Sequence, residues 1–230
     1  MPESYCLFTK LIVIKMKKSI KLMAVAVLVL VCGKANAQLG INVGYAPETL
    51  TTNITSGNTT NSSSKDLNGF FAGVNYNLPL SGNLCLSLGA QGRFNVRTNE
   101  ETLLTVTAKT TETQMLVDIP VLVNFGLNLN PVAMLSFYAG PMLTYALSGN
   151  TNVTTHSSAT NLLDSNTDVN WYGDNTNNER MNLSGVVGVA LDYASFRLFG
   201  GYRFGLTDLD NRDNISTTAA GVFVGLGVTL

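Results

Sequence analysis

The strongest constraint on this chain is a period-two alternation whose apolar side is broad and whose other side is compact rather than charged. Over residues 220–230, Ala220, Val222, Val224, Leu226, Val228 and Leu230 alternate with Gly221, Phe223, Gly225, Gly227 and Thr229. Successive side chains of a strand point to opposite faces, so the segment is a strand with one greasy face and one small one. Leu84, Leu86, Leu88, Ala90, Phe94 and Val96 repeat the pattern against Cys85, Ser87, Gln91, Arg93, Asn95 and Arg97. Met115, Val117, Ile119, Val121, Val123, Phe125 and Leu127 do so against Gln114, Asp118, Asn124 and Asn128. Residues 136–145, 181–191 and 196–206 alternate likewise, and Leu39–Tyr45 and Phe70–Leu78 bring the expected strands to eight.

Which face is the core follows from composition. In a soluble sandwich the polar face carries Lys and Glu into water. Only 13% of this chain is charged, and its polar faces are rich in Gly, Ser, Asn and Arg. Such faces suit packing against one another, with the apolar faces turned to lipid. A closed barrel is the one sheet whose backbone is satisfied inside a bilayer. Connection lengths agree. Ser81–Asn83, Asn128–Met134 and Ala194–Ser195 are short, and Ala46–Leu67, Thr98–Thr111, Gly149–Arg180 and Asp208–Ile215 are long. Short periplasmic turns alternating with long outer loops is the outer-membrane pattern. Tyr76, Phe125, Phe137, Tyr193 and Phe196 fall near the turns, and Tyr45, Phe70, Phe94, Tyr145 and Phe204 near the loops, as two aromatic girdles. The expected fold is all-β: an eight-stranded antiparallel transmembrane barrel, an up-and-down meander over residues 38–230.

Residues 1–37 read as an address. Met16, Lys17, Lys18 and Lys21 form a positive head, Leu22–Val31 is an unbroken apolar run, and Ala35-Asn36-Ala37 suits signal peptidase. Met16 is the expected start. Cys32 offers a lipoprotein alternative, in which its thiol is acylated and becomes the mature terminus, but Val31 stands before it where that processing favours a small residue. The leader holds six lysines and one glutamate, so cleavage before Gln38 leaves 8 of the 14 basic and 14 of the 15 acidic residues, a formal net charge of −6. That balance argues against nucleic acid. No run of about 18 apolar residues follows, so no transmembrane helix is expected. A single cysteine, Cys85, remains after cleavage, which excludes an internal disulfide, and no Cys/His spacing suits a metal.

Three stretches resemble the PorT-like outer-membrane barrels of Bacteroidetes: Leu116-Val117-Asp118-Ile119-Pro120-Val121-Leu122, Ala139-Gly140-Pro141, and Gly201-Tyr202-Arg203-Phe204-Gly205-Leu206-Thr207-Asp208. The architecture is also similar to the small OmpA- and OmpX-type barrels. The resemblance covers residues 39–230 and implies a cell-surface protein of a Gram-negative outer membrane, with no catalytic residues to carry over. PorT itself is associated with secretion across that membrane, which implies a secretion-machinery or surface protein as partner. Many such barrels end in Phe, whereas Leu230 ends this chain.

By parity, Arg93, Arg97, Glu112, Asp118, Asp192, Arg197 and Arg203 point inward, and a two-residue turn sets Asp192 opposite Arg197. Eight strands leave an interior just wide enough for side chains, so these charges are expected to fill it as an Arg–carboxylate plug. The expected function is a structural or interaction scaffold, monomeric, surrounded by outer-membrane lipid and without a cofactor. The alternative is a narrow anion-favouring pore or small-solute transporter lined by the four arginines. Gly149–Arg180 has 17 Asn, Ser or Thr among its 32 residues and is expected to be flexible. Trp171 and Tyr172 within it could contact a partner or pack on the rim. His156, followed by Ser157 and Ser158, lacks the rigid surroundings that a catalytic base needs. Asp208, Asp210 and Asp213 imitate a calcium loop, but Arg212 takes a ligand position and the turn glycine is missing. No enzyme is expected. Pro120 and Pro141 each remove a ladder hydrogen bond and are expected to share a bulge.

Overall fold

The computed structural model describes residues 38–230 except 58, 104–105, 158–164, 173–175, 177, 211 and 213, and the side chains of 103, 106 and 157. The expected leader lies outside the described residues. Ten strands run in chain order: β1 (Gln38–Tyr45), β2 (Glu48–Ser56), β3 (Thr59–Ser81), β4 (Leu84–Leu103), β5 (Val106–Asn130), β6 (Ala133–Ser157), β7 (Ser165–Asn170), β8 (Met181–Tyr193), β9 (Phe196–Gly205) and β10 (Ile215–Thr229).

All neighbours are antiparallel and the sheet closes on itself. β1 pairs with both β3 and β10, and so does β2 further along the same two strands. β1 and β2 are therefore one stave, interrupted at Ala46-Pro47, where Ala46 N donates to Gly69 O at 2.7 Å. Pro47 has no N–H to give a ladder, which is why the stave breaks there. From this stave the order runs through β3, β4, β5, β6, β8 and β9 to β10 and back, eight staves in all. β7 stands outside the wall and pairs with β6.

The apolar faces are on the outside. Ile41, Val43, Val74, Val123, Val187, Val189, Val222, Val224 and Leu226 are all exposed, although β-branched and aliphatic residues normally form a soluble core. This is the inverted surface that hydrocarbon demands. No helix among the described residues is long and apolar enough to cross a membrane. Tyr45, Phe70 and Phe94 stand opposite one another across three strands, and the first two rings are 5.3 Å apart.

The turns are tight. Gly82 holds φ 54°, a left-handed value that glycine reaches without strain, and Ala194 takes φ 51° in the two-residue link between β8 and β9. The link expected at Asn128–Met134 shortens to Pro131-Val132 as β5 and β6 run further.

The long connections differ from expectation. β2 and β3 pair out to Ser56↔Thr59, β4 and β5 to Leu103↔Val106, and β5 and β6 to Val106↔Ser157, all within stretches read as loops. These segments bury little, but threonines and asparagines bond across the ladders. Thr51 and Ser64 hydroxyls lie 3.1 Å apart, Ser62 Oγ donates to Asn53 at 2.6 Å, and Asn152 Nδ2 donates to Asp168 at 2.7 Å. Cross-strand polar pairs of this kind stabilise a sheet without an apolar core.

The prolines also behave differently. Pairing of β4 with β5 lapses between Leu88↔Val121 and Gln91↔Asp118, and of β5 with β6 between Pro120↔Met142 and Val123↔Ala139, without any register change. The register slips of β5 against β6 lie elsewhere, between Met115 and Leu116 toward the outer end and between Asn128 and Asn130 at the turn. Missing N–H groups thus open two adjacent seams at one height rather than a bulge. Close approach compensates: a Cβ at Gly140 would stand 2.1 Å from Val121 O.

Candidate functional site

Parity along the staves points polar side chains into the interior, where they form three tiers. Toward the outer end, Arg97 sits opposite Glu112 in the β4–β5 ladder, Nη1 to Oε2 at 3.6 Å. Lys65 Nζ donates to Glu112 Oε1 at 2.8 Å. At the periplasmic end Asp192 is register partner to Arg197, Nε to Oδ1 at 3.6 Å. Ser136 Oγ donates to Asp192 at 3.0 Å, and Arg197 Nη2 donates to Asn124 Oδ1 at 3.2 Å.

The middle tier joins five staves, four of which supply its charges. Asp118 accepts from Arg93 Nε at 2.9 Å, from Thr144 Oγ1 at 2.6 Å and from Gln91 Nε2 at 3.3 Å. Arg93 Nη1 also donates to Glu48, which accepts from Asn95 Nδ2 at 2.6 Å and lies 3.0 Å from Arg203 Nη2. Two guanidinium groups and two carboxylates thus cancel. Glu48, Arg93, Asp118 and Arg203 are 4%, 4%, 0% and 5% exposed, so water hardly reaches these charges. Removing a charge from water costs several kcal/mol, and the site offsets that only by giving each carboxylate several donors.

A cap lies over this tier. Gln114 links Asn95 to Tyr172, accepting at 3.1 Å and donating to Tyr172 Oη at 2.8 Å. Trp171 packs against Leu50, Leu67 and Ala219, donates to Thr151 Oγ1 at 2.7 Å, and carries Lys65 Nζ 4.5 Å above its ring. Arg180 lies over Tyr172 and donates to its carbonyl at 2.7 Å. Burial raises the Tyr172 hydroxyl pKa above its ordinary value, against the opposing hydrogen bond from Gln114. Trp171 and Tyr172 are therefore half-buried over the barrel mouth and are not an exposed contact pair. Gly149 makes room, since a Cβ there would meet Tyr172 at 2.8 Å and Trp171 at 2.9 Å.

The other residues that the sequence singles out lie apart from the tiers. His156 is exposed on the projecting part of β6, in register with Thr107. Cys85 is a free thiol on the inner face of β4. Arg212 donates to Asp210 through Nε at 2.8 Å, and this pairing lowers the Asp210 carboxyl below its usual range. Burial pushes Asp208 up, but backbone N–H groups of Thr217 and Asp210 outweigh it. Those carboxylates are thus already engaged by arginine and backbone, and Asp213 lies outside the described residues. Among the described residues no cluster of three or more His, Cys, Asp or Glu could hold a metal.

Two interior charges escape the sequence reading, Glu48 and Lys65, because both fall in the stretch taken as a loop. The signal was present: carrying the parity of Asn42 and Gly44 through Pro47 puts Glu48 on the inner face.

Eight lipid-facing staves around an interior of paired charges define an outer-membrane β-barrel. Residues 33–211 match the family described as outer membrane protein beta-barrel domain, and the chain belongs to that family. The protein is located in the outer membrane. Among solved structures it is similar to Ail, the attachment invasion locus protein of Yersinia pestis, at 13% identity over 84% of this chain and 99% of that one, with a TM-score of 0.37. It is similar to Neisserial surface protein A at 12% identity over 85% and 99%, TM-score 0.36. It is also similar to the outer membrane protease OmpT of Escherichia coli at 13% identity over 86% and 98%, TM-score 0.41. These likenesses concern the fold. Among curated protein sequences none matches.

Proposed function

We propose that the protein is a closed scaffold that engages partners at the cell surface. The observation that carries this reading is the middle tier: four nearly inaccessible charges from four staves, with Tyr172 above them, support a lumen closed to water. The working surface is then the sheet outside the membrane. There β4, β5, β6 and β7 continue beyond the wall as four strands, and β3 leaves β4 after Asn68↔Val96. Among the described residues β7 pairs only with β6, and every residue of Ser165–Asn170 is exposed. An unpaired strand edge offers a row of backbone donors and acceptors to another chain. The likeness to PorT-like barrels adds a secretion-machinery component to the partners worth seeking.

The test is single-channel recording of the purified protein in a planar bilayer. A silent membrane is expected, with folding verified by a heat-dependent gel shift. Reproducible ion steps overturn the closed scaffold and favour the anion pore. A photo-crosslinker at Thr167 on intact cells is expected to trap a discrete adduct that the same group at Val224, facing lipid, does not give. Identical patterns from the two positions remove the sheet edge from the proposal.

A further inference from the structure

Beneath the middle tier the interior is not filled. A cavity of about 100 Å3 lies between Arg93 and Arg203 above and the Arg197–Asn124 pair on the periplasmic side. Its two sides differ in chemistry. One is a continuous apolar wall, in which the Phe199 and Phe223 rings are 6.4 Å apart and Tyr138 and Phe223 are 6.5 Å apart, backed by Met142 and Val186. The other is polar, and Arg93, Arg197 and Arg203 line it beside Asn75, Ser87 and Asn124.

The carboxylates that balance these arginines do not line the cavity. Asp118 faces Arg93, Thr144 and Gln91; Glu48 faces Arg93, Arg203 and Asn95; Asp192 accepts from Ser136. What the cavity itself presents is therefore arginine and amide side chains beside aromatic surface, and Arg197 is the least tightly paired of the arginines. Arg203 reaches Glu48 with Nη2, and Arg197 reaches Asn124 with Nη2, while each guanidinium has five N–H donors in a fork that matches a carboxylate. At 3.6 Å the Arg197–Asp192 contact is longer than a hydrogen bond, and the Arg197 side chain is 17% exposed. An anion entering from the periplasmic end meets Arg197 first and does not have to break a tight pair.

We propose that this cavity is a binding site for a small monocarboxylate with an apolar body, of butyrate to benzoate size. The carboxylate lies on Arg197, and the body lies against Phe199, Phe223 and Tyr138. An uncharged ring gains only the apolar wall and forgoes the ion pair with Arg197. A bare inorganic anion gains only Arg197 and leaves the aromatic wall wet. Few ligand sites need more than this combination of apolar lining and a small number of convergent polar groups.

The experiment is isothermal titration of benzoate into the full-chain protein, purified from outer membranes into lipid nanodiscs, with empty nanodiscs as the blank. Saturable one-site binding is expected, with benzyl alcohol and chloride each at least tenfold weaker. Arg197→Gln is expected to weaken benzoate at least tenfold and leave benzyl alcohol unchanged. Phe199→Ala weakens both organic compounds, and Lys109→Gln, a charge change on the projecting hairpin, weakens neither. A native gel shift checks that each variant is folded. Absence of saturable benzoate binding overturns the proposal, as does equal affinity for benzyl alcohol or full affinity in a folded Arg197→Gln protein.

Discussion

Replacing Asp118 with Ala is expected to lower the unfolding free energy by about 3–5 kcal/mol, the usual result of stripping one partner from a buried charge pair. The substitution leaves Arg93 at 4% exposure with Glu48 as its remaining carboxylate, and leaves Thr144 Oγ1 and Gln91 without the acceptor they now share. Charge balance in the middle tier changes from neutral to positive. The loss belongs to the broken pair rather than to polarity as such. The double replacement Arg93→Met with Asp118→Leu is therefore expected to recover more than half of it, since an apolar pair of similar volume needs no partners. Urea titration in lipid vesicles, followed by the fluorescence of the single tryptophan, Trp171, measures both. A loss under about 1 kcal/mol for Asp118→Ala means that water reaches the tier. The shut lumen would then have to be given up.

Val187→Arg is expected to cost about 2–4 kcal/mol, the range for a charge placed at the bilayer midplane on a barrel's lipid face. Val187 is the central residue of β8, Met181–Tyr193, and its side chain is 45% exposed. In a soluble sheet so exposed a valine accepts arginine at little cost. Thr154→Arg, exposed on the projecting part of β6, supplies the comparison and is expected to stay within about 0.5 kcal/mol. The same urea titration applies. Equal, small effects at the two positions contradict a hydrocarbon environment around β8.

Much of the wall is legible in the sequence because facing is a local property. Once Val222, Val224 and Leu226 are known to share a side, no distant residue can change it, and the same holds for Arg93 and Arg97 on β4. The lipid-facing side was identifiable because the opposite faces are poor in the lysines and glutamates that water would require. The loops were harder. Asn, Ser and Thr carry little apolar surface, so burial patterns vanish there, while the cross-strand hydroxyl and amide bonds of β2, β3, β6 and β7 depend on a register that composition does not reveal. Pro47 hid Glu48 by suggesting an end where the stave only skips a ladder bond. Pro120 and Pro141 were expected to add a residue to one strand, yet the neighbouring strands keep register around the gap, because Gly89 and Gly140 let the backbones close in.

Sequence by itself determined that this chain is an inverted barrel with Arg and carboxylate side chains inside. The alternation, the short and long connections and the aromatic positions each follow from what a bilayer tolerates. Only the tertiary structure decided which charges meet. Glu48, Arg93, Asp118 and Arg203 come from four staves, and Glu48 is 45 residues from Arg93 in the chain. Their heights in the lumen follow from the stagger of eight closed strands, a global quantity that no single strand encodes. Closure also turned Trp171 and Tyr172 inward and left the cavity beneath Arg203, since both depend on how much space the staves enclose at each level.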